Sequence, residues 1–196
     1  LENLLKFDTM RWFGFIILFL SWVAVNAQQD SLVINWTDDY TLSWNDFQGE
    51  EDVELSLAAL SKIAIPYTYS SDGEVDLNVK LNTVFIKNES WYKEGKQNKI
   101  LLGHEQLHFD IAEVHRRIIV RKILQTNFSP ENYDTELKQL INEIWEENYR
   151  NMQDLYDTET NYARLFKAQM NWNKLVAKKL EELKEFSTTE VTVIFK

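Results

Sequence analysis

The chain has 196 residues, a net charge of −10 and no cysteine. Its acidity argues against nucleic acid and anionic lipid as partners. The lack of thiols excludes a disulfide framework, a thiolate metal site and an acylated lipoprotein cysteine, so any metal must be held through nitrogen and oxygen.

From Met10 the sequence reads as an export signal. Arg11 supplies the positive charge, Trp12 to Val25 the apolar stretch, and Val25-Asn26-Ala27 a small-x-small cleavage site before Gln28. The run is short for a membrane span and is soon followed by polar residues. The expectation is a periplasmic or extracellular protein with no stable span after signal cleavage; a retained N-terminal anchor is the alternative. Residues 1–27 are then upstream sequence plus signal peptide, and 28–196 form one domain. Glu2 and Asp8 cancel Lys6 and Arg11, so the whole acidic charge falls on that domain.

The first half of the domain reads as strands. Leu32 to Trp36 is a short β-like run, and Tyr40 to Trp44 alternates with period two. Leu55 to Tyr69 is rich in apolar and β-branched residues. Ser70-Ser71-Asp72-Gly73 signals a hairpin turn. Val75, Leu77, Val79 and Leu81 alternate with polar residues, and Val84 to Ile86 prolongs that strand. These features predict an antiparallel sheet with one buried face.

The second half reads as helices. Asn98 caps a helix to about Thr126, with Ile100, Leu101, Leu107, Ile111, Ala112, Ile118, Ile119 and Ile123 on its apolar stripe. Arg116, Arg117, Arg121 and Lys122 sit toward its C-terminal end, as the helix dipole favours. A second helix spans about Asp134 to Tyr156. A third runs from about Ala163 to Phe186, with Phe166, Met170, Leu175, Val176 and Leu180 facing inward. Val191 to Phe195 closes the chain as a strand. The fold class is α+β: an N-terminal antiparallel sheet, a three-helix subdomain and a short C-terminal strand.

His104-Glu105-Gln106-Leu107-His108 lies on the first helix. Residues four apart share a helix face, so both imidazoles can reach one zinc ion at about 2.0–2.1 Å. Glu105 is placed to take a proton from zinc-bound water. Catalytic zinc needs a third protein ligand. His115 lies seven residues beyond His108, about 10.5 Å along the helix axis, and reads as a surface or inter-helix residue. The junction of the second and third helices offers Asp157, Glu159 and Tyr162. Glu143, Glu146 and Glu147 are further candidates, whose ordinary reading is a solvated helix face. Asp110 and Glu113 are candidates to hold the ligating rings, with Glu113 also spaced to pair with Arg116 or Arg117. Trp44, Phe47 and Trp91 read as core, and Asp46 and Gly49 as turn residues.

Several stretches together resemble one family. Leu42-Ser43-Trp44-Asn45-Asp46-Phe47-Gln48-Gly49, Ser90-Trp91, Leu101 to Glu113, Tyr156-Asp157-Thr158-Glu159-Thr160 and Gln169…Trp172 are similar to the motifs of the bacterial domain of unknown function 922 family, described as secreted zinc-dependent proteases of zincin type. The resemblance implies zinc held by His104 and His108, Glu105 as general base, and export to the bacterial envelope. Family members often carry a histidine just after the Y-D-x-x-T stretch, where this chain has Tyr162. If Tyr162 is the third ligand, metal affinity falls; if Asp157 is, the replacement is harmless. The expected function is hydrolysis of a peptide or protein substrate through a zinc-bound water. The alternative is an inactive zincin-like envelope module that binds a partner protein. A strand near Val84 to Ile86 is the expected edge for holding a peptide.

Overall fold

The computed structural model describes residues 31–196, so the export signal and its cleavage site lie outside the described residues. Strand β1 (Val33–Asn35) pairs antiparallel with β6 (Val84–Ile86), which also pairs with β3 (Ile63–Ala64). Strand β2 (Ala59–Leu60) pairs with β7 (Trp91–Tyr92). Strands β4 (Tyr67–Ser71) and β5 (Asp76–Leu81) form a hairpin, and the C-terminal β8 (Glu190–Ile194) adds to the other edge of β5. The α+β layout is as expected, but the one sheet is three small antiparallel ones.

Two local departures explain the division. Tyr40 to Trp44 is not a strand. Asp46 Oδ2 accepts from the Ser43 amide at 2.7 Å and the Ser43 hydroxyl at 2.9 Å, curling Trp44–Asp46 into a 3-10 turn. These local bonds offer the backbone an alternative to a sheet ladder. Strand β6 does not continue β5 either. The chain breaks at Asn82-Thr83, where the Trp36 amide takes the Thr83 carbonyl, and β6 enters a different sheet. Gly49 fits the close approach beside it. A Cβ there would lie 3.0 Å from the Asn88 and Ser90 carbonyl oxygens.

Helix α1 (Lys99–Gln125) is the axis of the molecule. Asn98 Oδ1 accepts from the amides of Ile100 at 3.0 Å and Leu101 at 2.9 Å, satisfying two of the four donors a helix start leaves free. The helix is buried on several sides, as its position between layers requires. Ile119, Val120 and Ile123 pack against Leu77, Val79 and Leu81 of β5. Phe109 and Ala112 meet Phe47, Phe85 and Leu42. Leu107, Ile111 and Val114 meet Tyr156, Trp172 and Val176. Ile100 is half exposed, outside this packing.

Arg116 and Arg117 are buried, contrary to their reading as helix-end charges. Glu113 takes Arg116 through Nε at 2.8 Å and a terminal nitrogen at 2.6 Å, Arg117 Nε at 2.7 Å, and the Thr83 hydroxyl at 2.7 Å. The guanidinium groups reach on to the carbonyls of Thr188 and Leu180. One buried carboxylate thus ties α1 to the chain break before β6 and to the C-terminal segment.

Helix α2 (Tyr133–Asn142) runs through a π-helical segment (Glu143–Tyr149) into α3 (Arg150–Thr160), so the expected second helix is one rod with a π insert. Helix α4 (Phe166–Glu182) buries Gln169, Trp172 and Val176. Phe166, Met170 and Leu175 are exposed instead of inward, because the buried stripe follows positions 169, 172 and 176 at helical spacing.

A candidate metal centre

His104 and His108 stand one turn apart on α1, their Nε2 atoms 3.2 Å from each other. Asp157, in the last turn of α3, brings Oδ1 to 2.9 Å from His104 Nε2 and 3.1 Å from His108 Nε2. This His/His/Asp group could hold a metal ion. A tetrahedral ion with bonds of about 2.0–2.1 Å separates its ligand atoms by about 3.3–3.4 Å, close to the triangle found.

The outer bonds of the rings show why Nε2 faces this point. His104 Nδ1 lies 3.1 Å from Gln169 Oε1, and His108 Nδ1 is bonded to Gln153 Oε1. An amide oxygen only accepts, so each Nδ1 carries the proton and each Nε2 keeps its lone pair. Two lone pairs and a carboxylate oxygen then converge. A proton or a cation must lie among them, and these donors suit a divalent ion. Gln169 is itself fixed: its amide nitrogen donates to Asn173 Oδ1 at 2.9 Å, and its oxygen accepts the Tyr156 hydroxyl at 2.9 Å. The Tyr156 ring is fully buried and stacks on His104 at 4.5 Å between centroids. Gln153 is anchored by its amide nitrogen on the His108 carbonyl at 3.1 Å.

Charge follows geometry. Burial raises the Asp157 carboxyl, but the hydrogen bonds and charges of His104 and His108 outweigh it and hold the group well below the usual carboxylate range. Burial lowers the His108 imidazole, but the bond to Asp157 and the charges of Glu105 and Asp157 outweigh it and raise the group. Burial pushes the Tyr149 phenol far up, so it stays protonated.

Glu105 is buried on the same cleft wall, with Oε2 accepting the Ser61 hydroxyl at 2.7 Å. The cleft holds about 530 Å³ and is lined by His104, Glu105, His108, Asp157, Tyr149 and the segment 56–61. Of the candidate third ligands, Asp157 joins the histidines. Tyr162 lines the same cleft but is 48% exposed. It sits in a left-handed turn, with Asn161, Tyr162 and Ala163 at φ of 48°, 53° and 68°. The turn is closed by the Tyr162 amide on the Asp157 carbonyl at 2.9 Å. Glu159 accepts the Trp172 indole at 2.8 Å instead of facing the centre. Glu146 pairs with Arg150 on the π segment.

His115 is an inter-helix residue, not a surface one. It is buried, its Nδ1 bonds the Ile111 carbonyl at 2.8 Å, and its ring meets Tyr149. Asp110 does not hold a ligating ring; it accepts Trp36 Nε1 at 2.9 Å and Gln106 Nε2 at 2.9 Å. Sequence reasoning missed Gln153, Gln169 and Ser61 as site residues. Gln153 stands four residues before Asp157, the same one-turn spacing as the histidines, and that was the signal available.

The edge expected at Val84 to Ile86 is not free, because β6 is central and paired on both sides. The strand on the cleft wall is β2, which pairs only with β7 among the described strands. No family model, curated protein or solved structure matches this chain.

Proposed function

We propose that this chain is an exported zinc-dependent peptidase of bacterial origin, in keeping with its resemblance to the domain of unknown function 922 family. One observation carries the reading: two histidine Nε2 atoms and the Asp157 carboxylate meet at 2.9–3.2 Å beside Glu105 in an open cleft. A zinc ion held by His104, His108 and Asp157 would supply a Lewis acid and lower the pKa of water toward about 7. With zinc bound, Glu105 would be the residue placed to accept a proton from that water and pass it to the leaving amine. Ser61 occupies one oxygen of its carboxylate and leaves the other to accept. Gln153 and Gln169 hold the two imidazoles in the tautomer the ion needs. Tyr149, always protonated, is the hydrogen-bond donor on the wall suited to the carbonyl oxygen that gains charge. The unpaired edge of β2 takes the substrate backbone by strand addition.

The rival reading, an inactive module that binds a partner protein, drew on Tyr162 standing where a histidine is usual. Asp157 beside both histidines weakens that ground. The test is Glu105→Gln in purified protein supplied with zinc. It should keep one zinc per chain and lose hydrolysis of an unfolded protein substrate; an unchanged rate refutes the mechanism. A wild-type protein that takes up no zinc at micromolar supply favours the partner-binding module.

A further inference from the structure

The metal cleft opens into a second hollow whose electrostatics oppose those of the whole chain. The two share Ser56, Leu57, Ala58, Leu101, Tyr162 and Arg164. The second hollow adds Lys93, Lys96 and Lys99 to Arg164, and no carboxylate lines it. Four cations thus gather at one place on a chain of net charge −10. Among the described residues none of the four is in an ion pair. Lys93 Nζ donates to the Leu55 carbonyl, which leaves its charge uncompensated. The acidic run Glu50 to Glu54 lies just upstream, and Glu94 lies in the same turn, yet among the described ion pairs none joins these carboxylates to the four cations.

The segment 56–61 links the two hollows. Ser61 bonds Glu105 at the metal end, while Ser56 to Ala58 border the lysines. Arg164 already lines the metal cleft, and the three lysines carry the positive lining outward past Ser56 to Ala58.

We infer that this basic arm binds the acidic side of a peptide substrate, selecting aspartate and glutamate to one side of the cleaved bond. The inference rests on the peptidase reading of the cleft. Clefts lined by one sign of charge concentrate the opposite sign. An acidic peptide gains there, while the −10 surface elsewhere repels it. Exposed pairs are individually weak, so two or three together should give about a tenfold preference, diminishing as salt shortens the screening length.

The test uses two fluorescein-labelled decapeptides with the same apolar centre. One carries Asp and Glu on one flank, the other Asn and Gln. Their binding to zinc-supplied Glu105→Gln protein is read by anisotropy. The acidic peptide should bind about tenfold tighter, and Lys96→Glu/Lys99→Glu should erase the difference. Both side chains are exposed, and glutamate at the start of α1 suits the helix dipole. Equal binding of the two peptides, no binding of either, an unaltered preference in the double variant, or binding of inorganic polyphosphate alone overturns the inference. Cleavage-site mapping on wild-type protein separates it from the reading beneath. Cleavage without acidic preference sinks the arm and keeps the peptidase. Acidic preference in binding without any cleavage keeps the arm and sinks the peptidase.

Discussion

Replacing Gln169 by leucine isolates what the outer bonds contribute to the centre. Gln169 is 5% exposed, and its oxygen accepts from both His104 Nδ1 and the Tyr156 hydroxyl. Leucine keeps most of the volume and removes the one oxygen that accepts from both, along with the amide nitrogen that donates to Tyr156 and Asn173. Tyr156 retains an outlet, since its hydroxyl also reaches the His104 carbonyl at 3.2 Å. His104 does not, and its Nδ1–H is left buried without a partner at a cost of about 1–3 kcal/mol. The ring can escape that cost by moving its proton to Nε2, which forfeits the metal-facing lone pair. Loss of such an outer partner lowers metal affinity by about 10–100-fold. Zinc affinity, measured by competition with a chromophoric chelator, should therefore fall by that factor. Urea unfolding of the chelated protein should show the stability loss. Gln169→Glu, which restores an acceptor, should keep affinity within a few-fold of wild type. Wild-type zinc affinity in a folded Gln169→Leu protein would refute the tautomer argument.

Three further outcomes follow from the same geometry. Because contact with Asp157 and the charge of Glu105 raise the His108 imidazole despite its burial, zinc binding should release more protons as pH is lowered from 8 to 6, read by calorimetry in buffers of different ionisation enthalpy; a release that does not change with pH contradicts it. Glu113→Ala leaves buried Arg116 without its anion and Arg117 with only the exposed Asp38 at 3.6 Å and should destabilise by about 3–5 kcal/mol in denaturant titration, whereas a loss under about 1 kcal/mol would make the network ornamental. Burial lowers the His115 imidazole, against the pull of the Ile111 carbonyl. The folded chain then binds fewer protons than the unfolded one as pH falls through the unfolded value of about 6.5. His115 therefore contributes stability above that pH and loses it below. His115→Phe should flatten the acid limb between pH 7 and 5 by up to about 1.4 kcal/mol per pH unit, and parallel limbs would disprove it.

How far the fold could be read depended on the distance over which each feature is decided. Asn98 as a cap, the alternation of Leu77, Val79 and Leu81, and the closing strand were all legible. Each is set by bonds within a few residues. Tyr40 to Trp44 misled because period-two alternation also fits a turn, and the Asp46 carboxylate settled the matter by capturing Ser43. The exposed Phe166, Met170 and Leu175 misled because hydrophobicity marks what can be buried, while the partner surface selects what is. The pairing of Glu113 with Arg116 and Arg117 was legible from helix spacing, whereas their burial was not, because it depends on what packs over that part of α1.

The candidate centre divides along the same line. The sequence alone determined that His104 and His108 share a face with Glu105 beside them, since one helical turn fixes that relation wherever the helix lies. It also narrowed the third ligand to a few residues near the end of the second helical rod. Only the tertiary structure selected Asp157 from that group, placed Gln153 and Gln169 behind the rings, and set Ser61 on Glu105. Those partners lie 44 to 65 residues from the motif. At such separations the chain imposes no geometry of its own. Where they meet is decided by how α3, α4 and the 56–61 segment pack around α1.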